Sequence, residues 1–124
     1  MADHIKLAVE VRNLYNGLMN INIKAKGFEL TPAITGYING KISYIEKFIK
    51  DWDDKGAVDL DFEVAKTTGH HKKGGVFYAE ANLKVPGKLI RAEKTDDDLN
   101  AAIDAVKDIL AEELKEYKNK IGNL

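Results

Sequence analysis

The chain is organised around the stretch Lys66–Lys94, KTTGHHKKGGVFYAEANLKVPGKLIRAEK. Phe77, Ala79, Ala81, Leu83 and Val85 alternate with Tyr78, Glu80, Asn82 and Lys84, the period of two that marks a strand with one apolar face. Pro86-Gly87 turns the chain, and Leu89 to Lys94 returns as a hairpin partner. The stretch opens with a loop marked by glycine and histidine. It holds seven cations, Lys66, Lys72, Lys73, Lys84, Lys88, Arg91 and Lys94, against Glu80 and Glu93, an excess of five in a chain of net charge −1. Such segregation points to an anionic partner.

Working upstream, Val58, Leu60, Phe62 and Val64 alternate with Asp59, Asp61 and Glu63, a strand with one apolar and one acidic face. Before it, Ile21, Ile23 and Ala25 alternate with Asn22, Lys24 and Lys26, and Gly27 ends that strand. Thr31-Pro32 then reads as a helix start, because a threonine hydroxyl caps an orphan N–H and proline has no N–H to lose in the first turn. Ile34, Ile38, Ile42, Ile45 and Ile49 keep to one face of the helix that follows, flanked by Tyr37, Tyr44 and Phe48. Gly36 and Gly40 lower its helix propensity. They read either as points of close approach to the sheet or as tolerated residues.

Downstream, Thr95 followed by Asp96, Asp97 and Asp98 reads as a capped helix start, with carboxylates where the helix dipole favours them. Leu99, Ile103, Val106, Leu110, Leu114 and Tyr117 form the apolar stripe of that helix, which closes near Gly122. The order is β-α-β-β-β-α. It predicts a two-layer α+β domain over residues 19–124, a four-stranded sheet with both helices on one face and the other face open to solvent. Small Ala79 and Ala81 leave room for a helix across the sheet. Residues 1–18 precede this pattern. Leu7, Val9 and Val11 alternate weakly, so the segment is either an extension outside the domain, with Met19 as initiator, or a short added strand or helix.

The chain has 124 residues, one domain's length, with 44% hydrophobic and 31% charged residues, the composition of a globular protein. No apolar run approaches the roughly 20 residues that cross a bilayer, and no secretory leader opens the chain, so a cytoplasmic protein without membrane contact is expected. Absence of cysteine removes disulfides, thiolate nucleophiles and cysteine-based zinc sites. Histidine occurs only at His4, His70 and His71. Neighbouring histidines on an extended loop point apart and no carboxylate is spaced to complete a site, so no metal is expected. The loop Gly69–Gly75 lacks the Gly-Lys-Ser/Thr ending and following helix of a nucleotide-phosphate cradle. With no legible nucleophile and base, neither enzymatic activity, nor a cofactor, nor a small-molecule substrate is expected.

Three segments carry a family resemblance: MNINIKAKGFELTPAITGYINGKISYIEKF from Met19, TGHHKKGGVFYAEANLKVPGKLIRAE from Thr68, and DDDLNAAIDAVKDIL from Asp96. Over about 105 residues the chain resembles the ribosome hibernation-promoting factors, the ribosome-associated inhibitor proteins of bacteria and plastids. The resemblance implies a protein without catalytic activity that binds the small ribosomal subunit, its rRNA and proteins, in the channel of messenger and transfer RNA. There it would silence translation and protect idle ribosomes. It implies rRNA contacts by Lys26, His70, His71, Lys72, Lys73, Lys84, Lys88 and Arg91, with Lys107, Lys115 and Lys118 on the last helix; the local charge excess adds Lys66 and Lys94. Departures from the family pattern at Asn100, Ile109, Glu112 and Glu116 shift the expected RNA surface from the last helix toward the loop and hairpin. The alternatives are a double-stranded RNA module, against which the acidic start of the last helix speaks, and a protein-interaction domain that binds no RNA.

Overall fold

A computed structural model describes residues 9–13, 19–50, 58–68 and 75–122. Seven elements follow in order: β1 (Val9–Asn13), β2 (Asn20–Lys26), α1 (Pro32–Glu46), β3 (Asp59–Thr68), β4 (Gly75–Val85), β5 (Lys88–Asp96) and α2 (Leu99–Gly122). The strands form one sheet in sequence order, β1-β2-β3-β4-β5. β2 and β3 are parallel, as a strand-helix-strand crossover requires, and the other neighbours are antiparallel.

From β2 onward the order is the expected β-α-β-β-β-α. The sheet nevertheless has five described strands where four were expected, because residues 9–13 pair antiparallel with β2, Val9 opposite Ala25 and Asn13 opposite Ile21. The weak alternation at Val9 and Val11 was the local trace of this strand. What makes it a strand is the ladder of backbone bonds that the edge of β2 offers, a contact between segments.

The core lies between the sheet and the two helices. Ile21, Ile23, Leu60, Phe62, Val64, Ala79, Ala81, Leu83, Ile90 and Ala92 are buried from the sheet, every one of the same parity in its strand. Against them pack Ile38, Ile42 and Ile45 of α1 and Ile103, Val106, Leu110 and Leu114 of α2. Ala79 and Ala81 are fully covered, which lets α2 lie directly on β4 and β5.

Local capping agrees with the sequence at α1 and departs from it at α2. Thr31 Oγ1 accepts the N–H of Ile34 at 3.2 Å, and Pro32 opens the helix. Before α2, Thr95 and Asp96 belong to β5, so threonine is not the cap; Asp96 Oδ1 instead accepts the N–H of Asp98 at 2.9 Å. Pairing with β4 keeps the chain extended two residues longer than its own propensity implies, Tyr78 opposite Thr95 and Phe77 opposite Asp96. Gly36 and Gly40 make no close approach: a Cβ at either would meet nothing within 4 Å. They are tolerated residues on the exposed side of α1. Gly27 is different, with φ of 84° and a would-be Cβ driven into the backbone carbonyl of Lys66.

Candidate nucleic-acid interface

α1 and α2 lie side by side and run in the same direction, since successive contacts climb both helices together. Tyr37 meets Asp104, Tyr44 meets Lys107, and Phe48, just beyond α1, meets Lys115 and Lys118. The seam interleaves aromatic rings with lysines. Lys41 Nζ lies 4.8 Å from the centre of the Tyr37 ring. Lys107 and Lys47 Nζ lie 4.6 and 5.3 Å from that of Tyr44, and Lys115 Nζ 5.8 Å from that of Phe48. Lys118 Nζ donates to the Phe48 carbonyl at 2.7 Å, closing the end of the seam. Each ring holds a cation at a defined place by the attraction of its negative face, without cancelling its charge.

Two carboxylates enter the seam. Asp104 Oδ1 accepts from the Tyr37 hydroxyl at 2.6 Å and pairs with Lys41 Nζ at 3.1 Å; Asp108 pairs with Lys107 at 2.6 Å. Partial burial works against the Asp104 charge, but the hydrogen bonds from Tyr37 and Lys41 prevail and hold it below the usual aspartate range. The same bond to Asp104 raises the Tyr37 phenol and the Lys41 ammonium, so the lysine stays protonated. Lys41 and Lys107 are thus paired with aspartates, whereas Lys47 and Lys115 have no ion pair among the described residues.

The open face of the sheet is built differently. Register places Lys24, Glu63, Glu80 and Glu93 in one row across four strands, and Asn22, Asp61, Asn82 and Arg91 in the next. Arg91 lies 3.2 Å from Glu80 Oε2 and 3.3 Å from Glu93 Oε1. The Tyr78 hydroxyl sits 2.7 Å from one oxygen of each glutamate, which share its single proton, and Asn82 donates to Glu80 at 2.9 Å. The hydrogen bond from Tyr78 lowers both glutamates, while burial and the same bonds push the Tyr78 phenol up. Lys26 pairs with Glu63 at 3.4 Å. On this face the described charges nearly cancel: Lys24, Lys26, Lys84 and Arg91 against Asp59, Asp61, Glu63, Glu80 and Glu93.

The cations anticipated from the sequence are therefore divided. Lys26, Lys84 and Arg91 stand on the open face, two of them in ion pairs. By strand parity Lys66, Lys88 and Lys94 belong to the helix-bearing face, opposite Phe77, Val85 and Ala79. Lys66 and Lys88 lie over the Phe77 and Tyr117 rings at 5.7 and 5.8 Å. Lys107, Lys115 and Lys118 come together in the seam. His70, His71, Lys72 and Lys73 lie outside the described residues. Lys41 and Lys47 were missed by sequence reasoning. The available signal was the spacing Tyr37, Lys41, Tyr44, Lys47, Phe48, which puts cations among aromatics along one side of a helix.

Among the described residues no group of three or more histidine, aspartate or glutamate side chains could hold a metal. A groove of about 660 Å³ lies where the β4–β5 turn meets the end of α2, but it mixes Lys88 and Lys120 with Glu113 and Glu116 and selects no sign of charge. Its floor is structural: Tyr117 donates to the Pro86 carbonyl at 2.7 Å and pins the turn. No helix among the described residues is long and apolar enough to cross a membrane.

Comparison with known proteins is consistent with this picture. Residues 21–122 match the family model described as Sigma 54 modulation protein / S30EA ribosomal protein, so β1 lies outside the matched region. The chain is 34% identical over 103 residues to a ribosome hibernation promoting factor of Klebsiella oxytoca, covering 83% of this chain and 97% of that protein. It is 30% identical over 105 residues to a ribosome hibernation promotion factor of Picosynechococcus, covering 82% of this chain but only 50% of that longer protein. Among solved structures, the N-terminal domain of Thermus thermophilus Protein Y superposes with a TM-score of 0.58 at 27% identity, covering 78% of this chain and 93% of that one. A ribosomal subunit interface protein of Coxiella burnetii shares the fold, with a TM-score of 0.57 at 20% identity over 82% of this chain and 97% of that one.

Proposed function

The chain belongs to the family described as Sigma 54 modulation protein / S30EA ribosomal protein, and on that footing we propose that it is a ribosome hibernation factor that binds rRNA of the small subunit in the messenger and transfer RNA channel. The observation that carries the reading is the α1–α2 seam, where Lys41, Lys47, Lys107, Lys115 and Lys118 gather among aromatic rings, Lys47 and Lys115 with no ion pair among the described residues. Lysines arrayed at helical spacing match phosphates by charge, release counterions and read backbone shape more than base sequence. A rigid two-layer domain lodged in the channel excludes messenger and transfer RNA by occupancy alone. It thereby silences the particle with no chemical step, no metal and no small-molecule substrate. Such a protein works in the cytoplasm, where ribosomes are.

The geometry supports the seam as the main rRNA surface. The hairpin cation Arg91 is already held between two glutamates, whereas Lys47 and Lys115 contact rings and have no ion pair among the described residues. Lys66 and Lys94, exposed toward the end of the sheet where the 69–74 loop joins β3 to β4, extend the helix-side surface, and His70, His71, Lys72 and Lys73 of that loop are proposed to add to it. The test is competition on purified small subunits. The protein should co-sediment with vacant subunits and be displaced by bound messenger with initiator transfer RNA. Equal co-sedimentation with vacant and filled subunits would refute occupancy of the channel, and no co-sedimentation at low salt would refute ribosome binding.

A further inference from the structure

Tyr44 is one of two large hydrophobic side chains that stand exposed among the described residues; the other, Leu89, is on the open face of the sheet. Tyr44 is 37% exposed on α1, in the middle of the cationic seam. It meets Phe48 edge to face, with ring centres 5.4 Å apart and an interplanar angle of 68°. The ammonium groups of Lys107 and Lys47 lie 4.6 and 5.3 Å from the centre of the Tyr44 ring. A surface tyrosine kept solely for packing has no need of two cations across it.

We propose that Tyr44 is a stacking platform for an unpaired nucleotide, so that the seam selects single-stranded or splayed RNA over continuous duplex. The inference rests on the rRNA-binding reading of the seam and names the element of RNA it takes. In the free protein the cations are held against the ring. A phosphate attracts an ammonium more strongly than the ring quadrupole does, and a lysine stem is long and flexible. An arriving strand therefore draws Lys107 and Lys47 outward onto flanking phosphates and uncovers the ring, and the base takes the vacated face. Aromatic platforms edged by cations bind single strands in this manner, tolerant of sequence because every base has a π-face. A duplex keeps its bases stacked inside and offers the seam phosphates only.

Salt dependence separates stacking from charge. Loss of a phosphate contact lowers the slope of log affinity against log salt, by about 0.7 for a single strand; loss of a stacked base lowers affinity at every salt and leaves the slope unchanged. Binding is measured for wild type, Tyr44→Leu, Tyr44→Phe and Lys107→Met, on small subunits, a short uridine oligonucleotide and an RNA hairpin duplex, across a series of KCl concentrations. Tyr44→Leu is expected to bind subunits and oligonucleotide roughly 5- to 100-fold more weakly at unchanged slope, with wild-type folding by thermal melt. Tyr44→Phe restores binding, Lys107→Met flattens the slope, and duplex binding is indifferent to Tyr44→Leu. Wild-type affinity in Tyr44→Leu, or a slope lowered as in Lys107→Met, overturns the proposal while wild-type binding to subunits stands. Absence of wild-type binding to subunits overturns the functional reading instead.

Discussion

Replacing Lys47, Lys107 and Lys115 together by methionine removes three seam charges and keeps three apolar stems. The stem matters most at Lys107, whose side chain is 20% exposed and covers the gap above Leu60, Phe62 and Leu110. Each lysine neutralises at most one phosphate, and each contact contributes a salt slope of about 0.7. At a salt concentration of about 0.15 M the logarithm of its reciprocal is about 0.8, so one contact is worth about 0.6 log units and three about 1.7. The triple variant should therefore bind small subunits about 50-fold more weakly near physiological salt, with a slope lower by about 2. The companion variant, Lys84→Met with Arg91→Met, removes two cations from the open face. Because Arg91 is already held in ion pairs with Glu80 and Glu93, this variant should bind within about threefold of wild type. Sedimentation or fluorescence titration across a KCl series reads both numbers. If the companion loses more affinity than the triple variant, the RNA surface is the hairpin and the seam reasoning is wrong.

Three further outcomes follow from the fold. Gly36→Ala and Gly40→Ala, each adding a Cβ into open space, should stabilise the protein by up to about 1 kcal/mol apiece, raising the melting temperature about 4 °C each; a fall on either substitution would show a close approach that the structure lacks. Gly27→Ala forces a side chain at φ of 84° against the Lys66 carbonyl and should cost on the order of 2 kcal/mol, read by urea unfolding; a midpoint equal to wild type would contradict that geometry. Glu46 and the Glu80–Glu93 pair should give pH dependences of opposite sign. Glu80 and Glu93 are depressed in the folded state, so their stabilisation is present above the unfolded glutamate value of about 4.3 and is lost as pH falls through the folded values. Glu46, only 6% exposed and with Oε2 lacking a hydrogen-bond partner, is raised by burial, partly offset by Lys50. The folded state thus holds the Glu46 proton more tightly, which favours folding at acid pH and ceases to do so as pH rises through the folded value. Glu46→Gln should melt above wild type at neutral pH, with the gap closing in acid; a gap constant with pH would show that the carboxylate is solvated.

Local pattern in the sequence sets the order of elements from β2 onward, the buried face of each strand from β2 to β4, and the resemblance to ribosome hibernation-promoting factors. These are local properties: period-two alternation assigns a strand's two faces, Thr31-Pro32 starts a helix within one turn, and the 3.6-residue stripe of α2 selects Ile103, Val106, Leu110 and Leu114 without reference to the rest of the chain. The candidate surface was only partly legible. The charge excess of Lys66–Lys94 is a sum along the chain, and strand alternation sends its members to both faces of the sheet, Lys84 and Arg91 to one and Lys88 and Lys94 to the other. Tertiary structure alone decided which of these charges are already matched. Arg91 meets Glu80 through the register of β4 against β5, Lys107 meets Tyr44 through the packing of α2 beside α1, and β1 gains its ladder from β2. The reason is that Coulomb attraction and hydrogen bonding act over a few ångströms in space, and residues tens of positions apart come within that range only when the chain has folded.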